Sequence, residues 1–217
     1  MSKTITPGTL FLISAPSGAG KTSLVNALIE QSSQNSGQQL CVSVSHTTRA
    51  KRPGEVDGEN YFFVTKEEFR SMRDDNRFLE HAEVFDNLYG TSGDWVNSKL
   101  AQGWDVILEI DWQGAAQIKT LAPDSVSIFI LPPSISILRE RLTGRGQDQQ
   151  ETIDKRMAEA VNEMLHHDEA DYLIVNDNFE AALQDLQCII RSRSLTIERQ
   201  KQAHQALLDE LLSRDSN

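Results

Sequence analysis

One short segment constrains the fold of this chain more than any other. The apolar run Thr9–Ile13 leads into the glycine-rich stretch Ala15–Thr22, and apolar side chains recur at helical spacing from Leu24 onward. This order predicts a strand, a tight loop and a helix, which is the setting of a phosphate-binding P-loop. Glycines let backbone N–H groups approach an anion closely, and the helix N-terminus adds a partial positive charge. We therefore predict that the chain binds a nucleoside triphosphate.

Two side chains at the end of this loop have the chemistry that ATP requires. Lys21 is expected to reach the β- and γ-phosphates, and the hydroxyl of Thr22 is expected to ligate Mg²⁺. Ala15 replaces the first glycine of the usual pattern, which is tolerable only if this residue avoids positive φ. The alternative interpretation is an ordinary glycine-rich turn. The predicted ATP-binding residues of the loop are Ser14, Ala15, Pro16, Ser17, Gly18, Ala19, Gly20, Lys21 and Thr22.

Composition and charge limit the classes of function. With 217 residues and 39% hydrophobic residues, the chain is long enough for one well-cored domain with appendages. The net charge of −11 argues against binding of duplex nucleic acid, which needs a broad basic face. Cys41 and Cys188 lie far apart, and the apolar run Leu10–Ile13 is too short for a signal sequence or a membrane span. These features predict a cytoplasmic protein with reduced thiols and no membrane partner.

Strand-like and helical segments alternate along most of the chain. Strands are predicted at Leu10–Ser14, Leu40–Ser45, Val106–Ile110, Val126–Leu131 and Tyr172–Val175, and helices at Ser23–Gln31, Trp112–Leu121, Thr152–His166 and from Phe179 onward. Such alternation predicts an α/β fold with a parallel sheet and helices on both of its faces. No glycine or proline follows Gly146, so the C-terminal third is predicted to be largely helical.

Two segments interrupt this alternation. His46–Asn97 is rich in turn residues and contains short β-like pieces, which predicts a small mixed insertion with its own binding surface. Ser136–Lys155 is polar and carries arginine within the Gly144–Gly146 stretch, where the glycines provide hinge-like freedom.

A basic cluster at the start of the insertion is a candidate phosphate site. Arg49 and Arg52 lie three residues apart, so their planar guanidinium groups can converge on one phosphate. The hydroxyl groups of Ser45, Thr47 and Tyr61 add neutral donors nearby. The alternative is a solvated basic loop, which is a common surface feature.

The order of several short motifs resembles the guanylate kinase family. The matching stretches are Ala15–Thr22, Ser45–Arg52, Gly54-Glu55, Gly58, Tyr61, Phe78–Glu80, Tyr89–Thr91, Leu108–Asp111, Gln113-Gly114, Gly144–Gly146 and Lys155-Arg156. Each stretch is weakly specific by itself, whereas the ordered set is very specific and extends from about residue 7 to residue 187.

The resemblance implies a P-loop NTPase core, a small mixed α/β insertion that binds GMP, and a mobile lid. The implied domain covers residues 7–187, with its core at about 7–45, 97–135 and 156–187, the insertion at about 46–96 and the lid at about 136–155. Residues 188–217 follow as a helical extension. The implied reaction is the Mg²⁺-dependent transfer of phosphate from ATP to GMP or dGMP, which gives ADP and GDP in purine nucleotide metabolism.

Two acids are candidates for the recognition of guanine. Guanine presents two adjacent donors, N1–H and the 2-amino group, and one carboxylate such as Glu80 can accept from both. Adenine has an acceptor at N1 and would leave this carboxylate unpaired, a cost that lets polar sites discriminate by about 10⁴. Under the resemblance, Asp111 is the second guanine-side acid and Ser45 donates to O6. Alternatively, Glu80 faces solvent and Asp111 only caps the helix that begins at Trp112.

The resemblance also assigns the residues that bind and transfer phosphate. Thr91 keeps a hydroxyl where the family often has serine. The clamp on the GMP phosphate would consist of Arg49, Arg52, Tyr61 and Tyr89. The predicted catalytic residues are Lys21, Arg49, Arg145 and Arg156, with Arg141 as a further lid cation.

Several remaining residues receive weaker predictions. No catalytic base is expected because the acceptor is already an oxyanion; His46 is therefore interpreted as a loop residue, and His166 and His167 as exposed. Asn176 is the expected contact on the adenine side, although loop geometry explains it equally well. The leucines near the end of the C-terminal helix, from Leu207 to Leu212, could cover the core or a second subunit, which leaves a homo-oligomer open.

Two other functions fit parts of this pattern. A kinase-like interaction module without catalysis would bind a partner protein, but such modules usually have a degraded P-loop, and Gly18, Gly20 and Lys21 are all present here. A related P-loop kinase could phosphorylate a sugar phosphate instead. The pair of Glu80 and Asp111 argues against that substrate, because a sugar phosphate needs no acids that read guanine.

We predict that Arg145→Ala lowers kcat by roughly 10²- to 10³-fold with a modest change of KM, because Arg145 would meet its charge partner mainly in the transition state. Steady-state kinetics with ATP and GMP test this. A variant in which only the KM for GMP rises would show that Arg145 binds the ground state instead.

Overall fold

Two β-sheets form the framework of the protein, and a computed structural model describes residues 6–34, 39–84, 86–144 and 150–213. The strands are β1 (Leu10–Ser14), β2 (Leu40–Val42), β3 (His46–Thr47), β4 (Phe62–Phe63), β5 (Phe78–Val84), β6 (Asn87–Ser92), β7 (Asp105–Glu109), β8 (Val126–Leu131) and β9 (Tyr172–Val175). The helices are α1 (Lys21–Gln34), α2 (Lys66–Asp74), α3 (Gly93–Ala101), α4 (Trp112–Leu121), α5 (Ile135–Thr143), α6 (Gln150–Met164), α7 (Phe179–Ser194), α8 (Ile197–Ala203) and α9 (Gln205–Leu212).

The larger sheet is parallel, as the alternation of segments predicted. Its strand order is β2-β7-β1-β8-β9, and every neighbouring pair runs in the same direction. The predicted second strand is shorter than expected, because it ends at Val42. Since β1 lies between β7 and β8, the loop that follows β1 opens at the centre of the carboxyl edge, where open α/β sheets bind ligands.

Both faces of this sheet are buried, which explains why β1 is a continuous apolar run. Phe11 and Ile13 belong to a core cluster with residues of α1 and α7. Leu10 and Leu12 point to the opposite face and belong to a second cluster with residues of α3 and α4. Successive side chains of a strand alternate between its faces, so β1 contributes to both clusters.

The smaller sheet is mixed, in agreement with the predicted insertion. Its order is β4-β3-β6-β5, with β5 and β6 paired as an antiparallel hairpin and β3 parallel to β4. The interpretation of His46 as a loop residue is wrong: it lies in β3, where its ring stacks on Phe62 at 4.8 Å and meets the edge of Phe78 at 5.5 Å. Burial lowers the pKa of His46, and the charge of Arg77 adds to this effect.

Helices α5 and α6 pack against each other through a third apolar cluster. Its members are Leu138, Leu142, Ile153, Met157 and Ala160. The predicted helix at Thr152–His166 is confirmed as α6, which begins two residues earlier and ends at Met164. Arg145 and Gly146 lie outside the described residues.

The C-terminal third is largely helical, but it is not one long helix. The chain leaves helical geometry at Leu195 and again at His204, which separates α7, α8 and α9. The hydroxyls of Ser192 and Ser194 donate to carbonyls three residues earlier, a local hydrogen bond that competes with helix continuation. Leu211 of α9 remains exposed. No helix among the described residues is long and apolar enough to cross a membrane.

A buried ion pair fastens α8 to the larger sheet. The Asp105 carboxylate accepts a hydrogen bond from Arg199 Nη2 at 2.8 Å and from the Thr9 backbone N–H at 2.7 Å. Arg199 also donates to the Pro7 carbonyl at 3.1 Å. Asp105 is 3% exposed, so these donors, rather than water, stabilise its carboxylate.

We predict that Arg199→Ala lowers the free energy of unfolding by about 3 kcal/mol, because it leaves the buried carboxylate of Asp105 without its cation. Urea unfolding measures this change. Lys201→Ala removes an exposed cation from the same helix and should change stability by less than about 0.5 kcal/mol; equal effects of the two variants would contradict the prediction.

Candidate active site

The segment between β1 and α1 has the backbone geometry of a P-loop. Gly18 and Gly20 have φ values of 93° and 99°, which side chains with a Cβ rarely adopt. Among the described residues other than glycine, φ is positive only at Asn76 and Asp86, so Ala15 avoids positive φ as predicted. The replacement of glycine at Ala15 is therefore compatible with the loop.

The back of the loop is held by two side chains from distant parts of the chain. The carbonyl of Ala19 accepts hydrogen bonds from Asn176 Nδ2 at 2.7 Å and from Arg141 Nη1 at 3.3 Å. Arg141 Nη2 also donates to the Asn176 carbonyl at 3.0 Å. A Cβ at Gly20 would lie 2.4 Å from Asn176 Nδ2, so glycine is required for this contact. Asn176 is buried behind the loop, and its contact with adenine stays a prediction.

The two polar residues that begin α1 contact the end of β7. Lys21 Nζ donates to the Ile110 carbonyl at 3.0 Å, and the Thr22 hydroxyl donates to Glu109 Oε2 at 2.9 Å. These contacts arise because β1 and β7 are parallel neighbours whose carboxyl ends meet at the same edge. Sequence analysis assigned no role to Glu109, although an acid at the end of an apolar strand was a usable signal.

A cleft of about 1050 Å³ separates the P-loop from the smaller sheet and brings most of the predicted site together. The predicted residues that line it are Ala15, Pro16, Ser17, Gly18, Gly20, Lys21, Thr22, Ser45, Arg49, Arg52, Tyr61, Glu80, Tyr89, Asp111 and Arg156. Four others lie behind its wall: Ser14, Ala19, Thr91 and Asn176 are all buried. The cleft is therefore lined by the P-loop, by the basic cluster of Arg49 and Arg52, and by the acids Glu80 and Asp111.

Glu80 occupies a buried position on β5, which excludes the alternative that it faces solvent. It is 4% exposed, and its Oε1 accepts a hydrogen bond from the Thr91 hydroxyl at 2.6 Å. The Thr91 and Ser45 hydroxyl oxygens lie 3.3 Å apart. Burial raises the pKa of Glu80 to about 7 and the charge of Asp111 adds to it, while the Thr91 hydrogen bond and Lys21 oppose the shift. Thr91 orients this carboxyl and does not itself line the cleft.

Asp111 both caps a helix and faces the cleft, so the two interpretations of this residue are compatible. Its Oδ1 accepts from the Gly114 backbone N–H at 2.9 Å, and its Oδ2 accepts from Gln113 Nε2 at 3.1 Å. A Cβ at Gly114 would lie 2.8 Å from Glu80 Oε2. The glycine therefore makes room for Glu80 beside the start of α4, a role that its local sequence did not reveal.

The basic cluster is ordered by an acid that sequence analysis did not include in the site. Glu55 accepts a bidentate pair of hydrogen bonds from Arg49, at 2.7 and 3.1 Å, and a third from the Arg52 backbone N–H at 2.8 Å. The guanidinium of Arg49 lies 5.4 Å from the Tyr61 ring centroid, and the Tyr61 and Tyr89 rings are 6.0 Å apart. A tyrosine hydroxyl is protonated at neutral pH, and burial raises the pKa of Tyr61 further, to about 12.

Helix α6 closes the other side of the cleft. Arg156 and Glu163 both line it, and Glu163 was not among the predicted residues. His167 is exposed as expected, whereas His166 is half-buried, since its ring stacks on Trp112 at 3.6 Å with an interplanar angle of 4°. Within the described residues, no three His, Cys, Asp or Glu side chains are grouped to hold a metal ion.

Comparisons with known proteins agree with this arrangement. The family model described as guanylate kinase matches residues 8–193 of the chain. The chain is 59% identical over 206 residues to guanylate kinases from Saccharophagus degradans and Photorhabdus laumondii, covering 95% of this chain and 98% of each relative. The crystal structure of guanylate kinase from Anaplasma phagocytophilum matches with a TM-score of 0.75 at 33% identity, covering 96% of this chain and 97% of that one.

We predict that the free energy of unfolding of the wild type, measured against that of Glu80→Gln, decreases as pH rises from about 4.5 to about 7. Since the pKa of Glu80 is raised in the fold, the folded state binds more protons than the unfolded state in this window, and its stability decreases with pH. Urea unfolding of both proteins at several pH values measures the difference. Glu83→Gln, at an exposed position of the same strand, controls for the change of charge; a wild-type curve parallel to that of Glu80→Gln would contradict the prediction.

Proposed function

The chain belongs to the guanylate kinase family, and on this premise we propose that it transfers the γ-phosphoryl group of ATP to GMP, forming ADP and GDP. The observation that carries the proposal is a buried carboxyl, Glu80, that faces the same cleft as the P-loop. A triphosphate site and a base-reading acid within one cleft are what a nucleoside monophosphate kinase needs. We include dGMP as an acceptor and assign the enzyme to purine nucleotide metabolism.

The proposed guanine pocket consists of Glu80, Asp111 and Ser45. A carboxylate at Glu80 accepts hydrogen bonds from both N1–H and the 2-amino group of guanine, whereas adenine, with an acceptor at N1, leaves this carboxylate unpaired. The hydrogen bond from Thr91 to Glu80 Oε1 limits the rotation of this carboxyl and so supports selective binding. Ser45 lies beside Thr91 and supplies a hydroxyl for O6.

The proposed phosphate clamp consists of Arg49, Arg52, Tyr61 and Tyr89. The contacts of Arg49 with Glu55 and with the Tyr61 ring support this role, because they orient its guanidinium before substrate arrives. Residues 46–96 would then form the GMP-binding unit.

The proposed transfer depends on positioning and charge and needs no catalytic base. Lys21 would follow the migrating phosphoryl group, while Arg49 and Arg156 stabilise its oxygens from the two sides of the cleft. Arg145 would act with them from the lid at about residues 136–155.

The residues at the start of α1 suit Mg²⁺, which prefers oxygen ligands and usually takes only one or two carboxylates from a kinase. The Thr22 hydroxyl and Glu109, which are hydrogen-bonded to each other, would hold the ion. Bound there, Mg²⁺ would neutralise charge on the phosphates. Glu109 would keep the Thr22 hydroxyl oriented.

A coupled assay of ADP formation from ATP and Mg²⁺ tests the proposed reaction, with GMP, AMP, CMP or UMP as the acceptor. Fast turnover confined to GMP and dGMP is expected. Nucleotide binding without turnover would indicate an interaction module, and turnover with another acceptor would refute the guanine pocket.

We predict that Glu80→Gln raises the KM for GMP by roughly 10- to 100-fold, because the amide presents a donor to N1–H or the 2-amino group and loses a charge-assisted hydrogen bond. The preference for GMP over AMP should fall as well. Comparison of kcat/KM for both acceptors measures this, with Glu83→Gln as the matched variant on the same strand. Unchanged selectivity would remove Glu80 from the base pocket.

A further inference from the structure

The carboxyl of Glu163 reaches into the P-loop from helix α6. Its Oε2 accepts a hydrogen bond from the Ser17 backbone N–H at 3.3 Å. Ser17 is one of the loop residues whose N–H groups surround a bound phosphate in a P-loop. A side-chain carboxylate therefore uses a donor that a phosphate oxygen of ATP would use.

Charged groups of both signs act on the carboxyl of Glu163. The Lys21 ammonium stabilises its ionised form, whereas burial, which is the largest effect, and the charges of Asp111 and Glu159 disfavour it, so its pKa is raised to about 7. Glu163 is thus attracted by the same lysine that is expected to bind the phosphates.

This contact differs from that of a carboxylate with a purely structural role. Asp171 accepts hydrogen bonds from Lys119 at 2.6 Å and from the backbone N–H and hydroxyl of Ser127 at 2.8 and 2.9 Å, and these bonds lower its pKa. Among the described residues, the Ser17 backbone N–H is the only hydrogen-bond donor to the Glu163 carboxyl. A half-buried carboxyl with a single long hydrogen bond is weakly held and therefore easy to displace.

We propose that Glu163 competes with the phosphates of ATP for the P-loop, so that ATP binding displaces this carboxylate. The inference rests on the proposed function, since it assigns ATP to the loop. Glu163 is a positioning residue in this role, because it acts on ATP through the Ser17 N–H and Lys21.

Displacement of Glu163 has a consequence for α6 as a whole. Lys155 and Arg156 lie about two turns earlier on this helix and also line the cleft. The contact between Glu163 and Ser17 ties the C-terminal end of α6 to the loop, while Ile153 and Met157 hold the helix on α5. When ATP takes the Ser17 N–H, the end of α6 is released, and ATP binding is linked to the position of the helix that carries Arg156.

Direct binding measurements test the competition. Glu163→Gln keeps the size and the acceptor atom of the side chain and removes its charge. A group that occupies the loop lowers the apparent affinity for ATP in proportion to the fraction of molecules in which it is bound. We therefore expect the Kd for ATP to fall by about fivefold or more in this variant. Calorimetric titration with ATP, and with inorganic tripolyphosphate as a probe without a base, measures this. Glu159→Gln removes a charge one turn earlier on α6 and should leave both Kd values within about twofold.

The sign of the change separates competition from a structural role. A residue that only supports the loop would give weaker ATP binding and a lower Tm when it is replaced, whereas a competitor gives tighter binding. Glu163→Asp, which withdraws the carboxylate by one methylene, provides a second variant and should tighten ATP binding to an intermediate degree. Unchanged or weaker binding of both ligands to folded Glu163→Gln and Glu163→Asp would overturn the proposal.

The proposed function and this inference fail in different ways. A wild type that binds ATP without phosphorylating GMP refutes the kinase reaction, and tighter binding by Glu163→Gln would still support the competition. A wild type that phosphorylates GMP, with a Glu163→Gln variant of unchanged ATP affinity, refutes the competition alone. Absence of ATP binding by the wild type refutes both.

Discussion

The candidate active site depends on the parallel pairing of β1 with β7. In this register Ile13 lies opposite Glu109, so the residues after both strands emerge side by side at the carboxyl edge of the sheet. The P-loop follows one strand and Asp111 follows the other, and the hydrogen bond from Lys21 to Ile110 joins them. Helices cover both faces of the sheet at this point, since Phe11 and Ile13 pack in one cluster and Leu10 and Leu12 in the other.

Carboxyl groups surround the cations of this cleft, and they divide into two kinds. Glu55 accepts three hydrogen bonds from the basic cluster, and its pKa is lowered because these bonds and the arginine charges outweigh burial. For Glu80 and Glu163, hydrogen bonds and the charge of Lys21 offset the cost of burying the carboxylate only in part, so their pKa values are raised. Glu55 therefore stabilises the site as built. Under the proposed function, guanine supplies the donors that Glu80 lacks, and ATP displaces Glu163 from the Ser17 N–H. This arrangement is typical of functional sites, where local stability is given up for binding.

Much of the fold followed from local patterns. The bounds of β1, β8 and β9 agree with those predicted, because each is a short apolar run with polar or turn-forming neighbours. Predictions failed where a hydrogen bond or a packing partner decided the conformation. The hydroxyls of Ser192 and Ser194 compete with the backbone in the last turn of α7, before helical geometry ends at Leu195. The phenyl rings that enclose His46 come from residues distant in the sequence.

Local spacing and an ordered set of family motifs predict the P-loop and the α/β class, and most of the site residues predicted from them line the cleft. Which polar groups satisfy one another depends on how the helices and strands pack. Asn176 reaches Ala19 across 157 residues and Glu163 reaches Ser17 across 146 residues. Such contacts are absent from any local pattern, because they exist only after β9 and α6 have packed beside the loop.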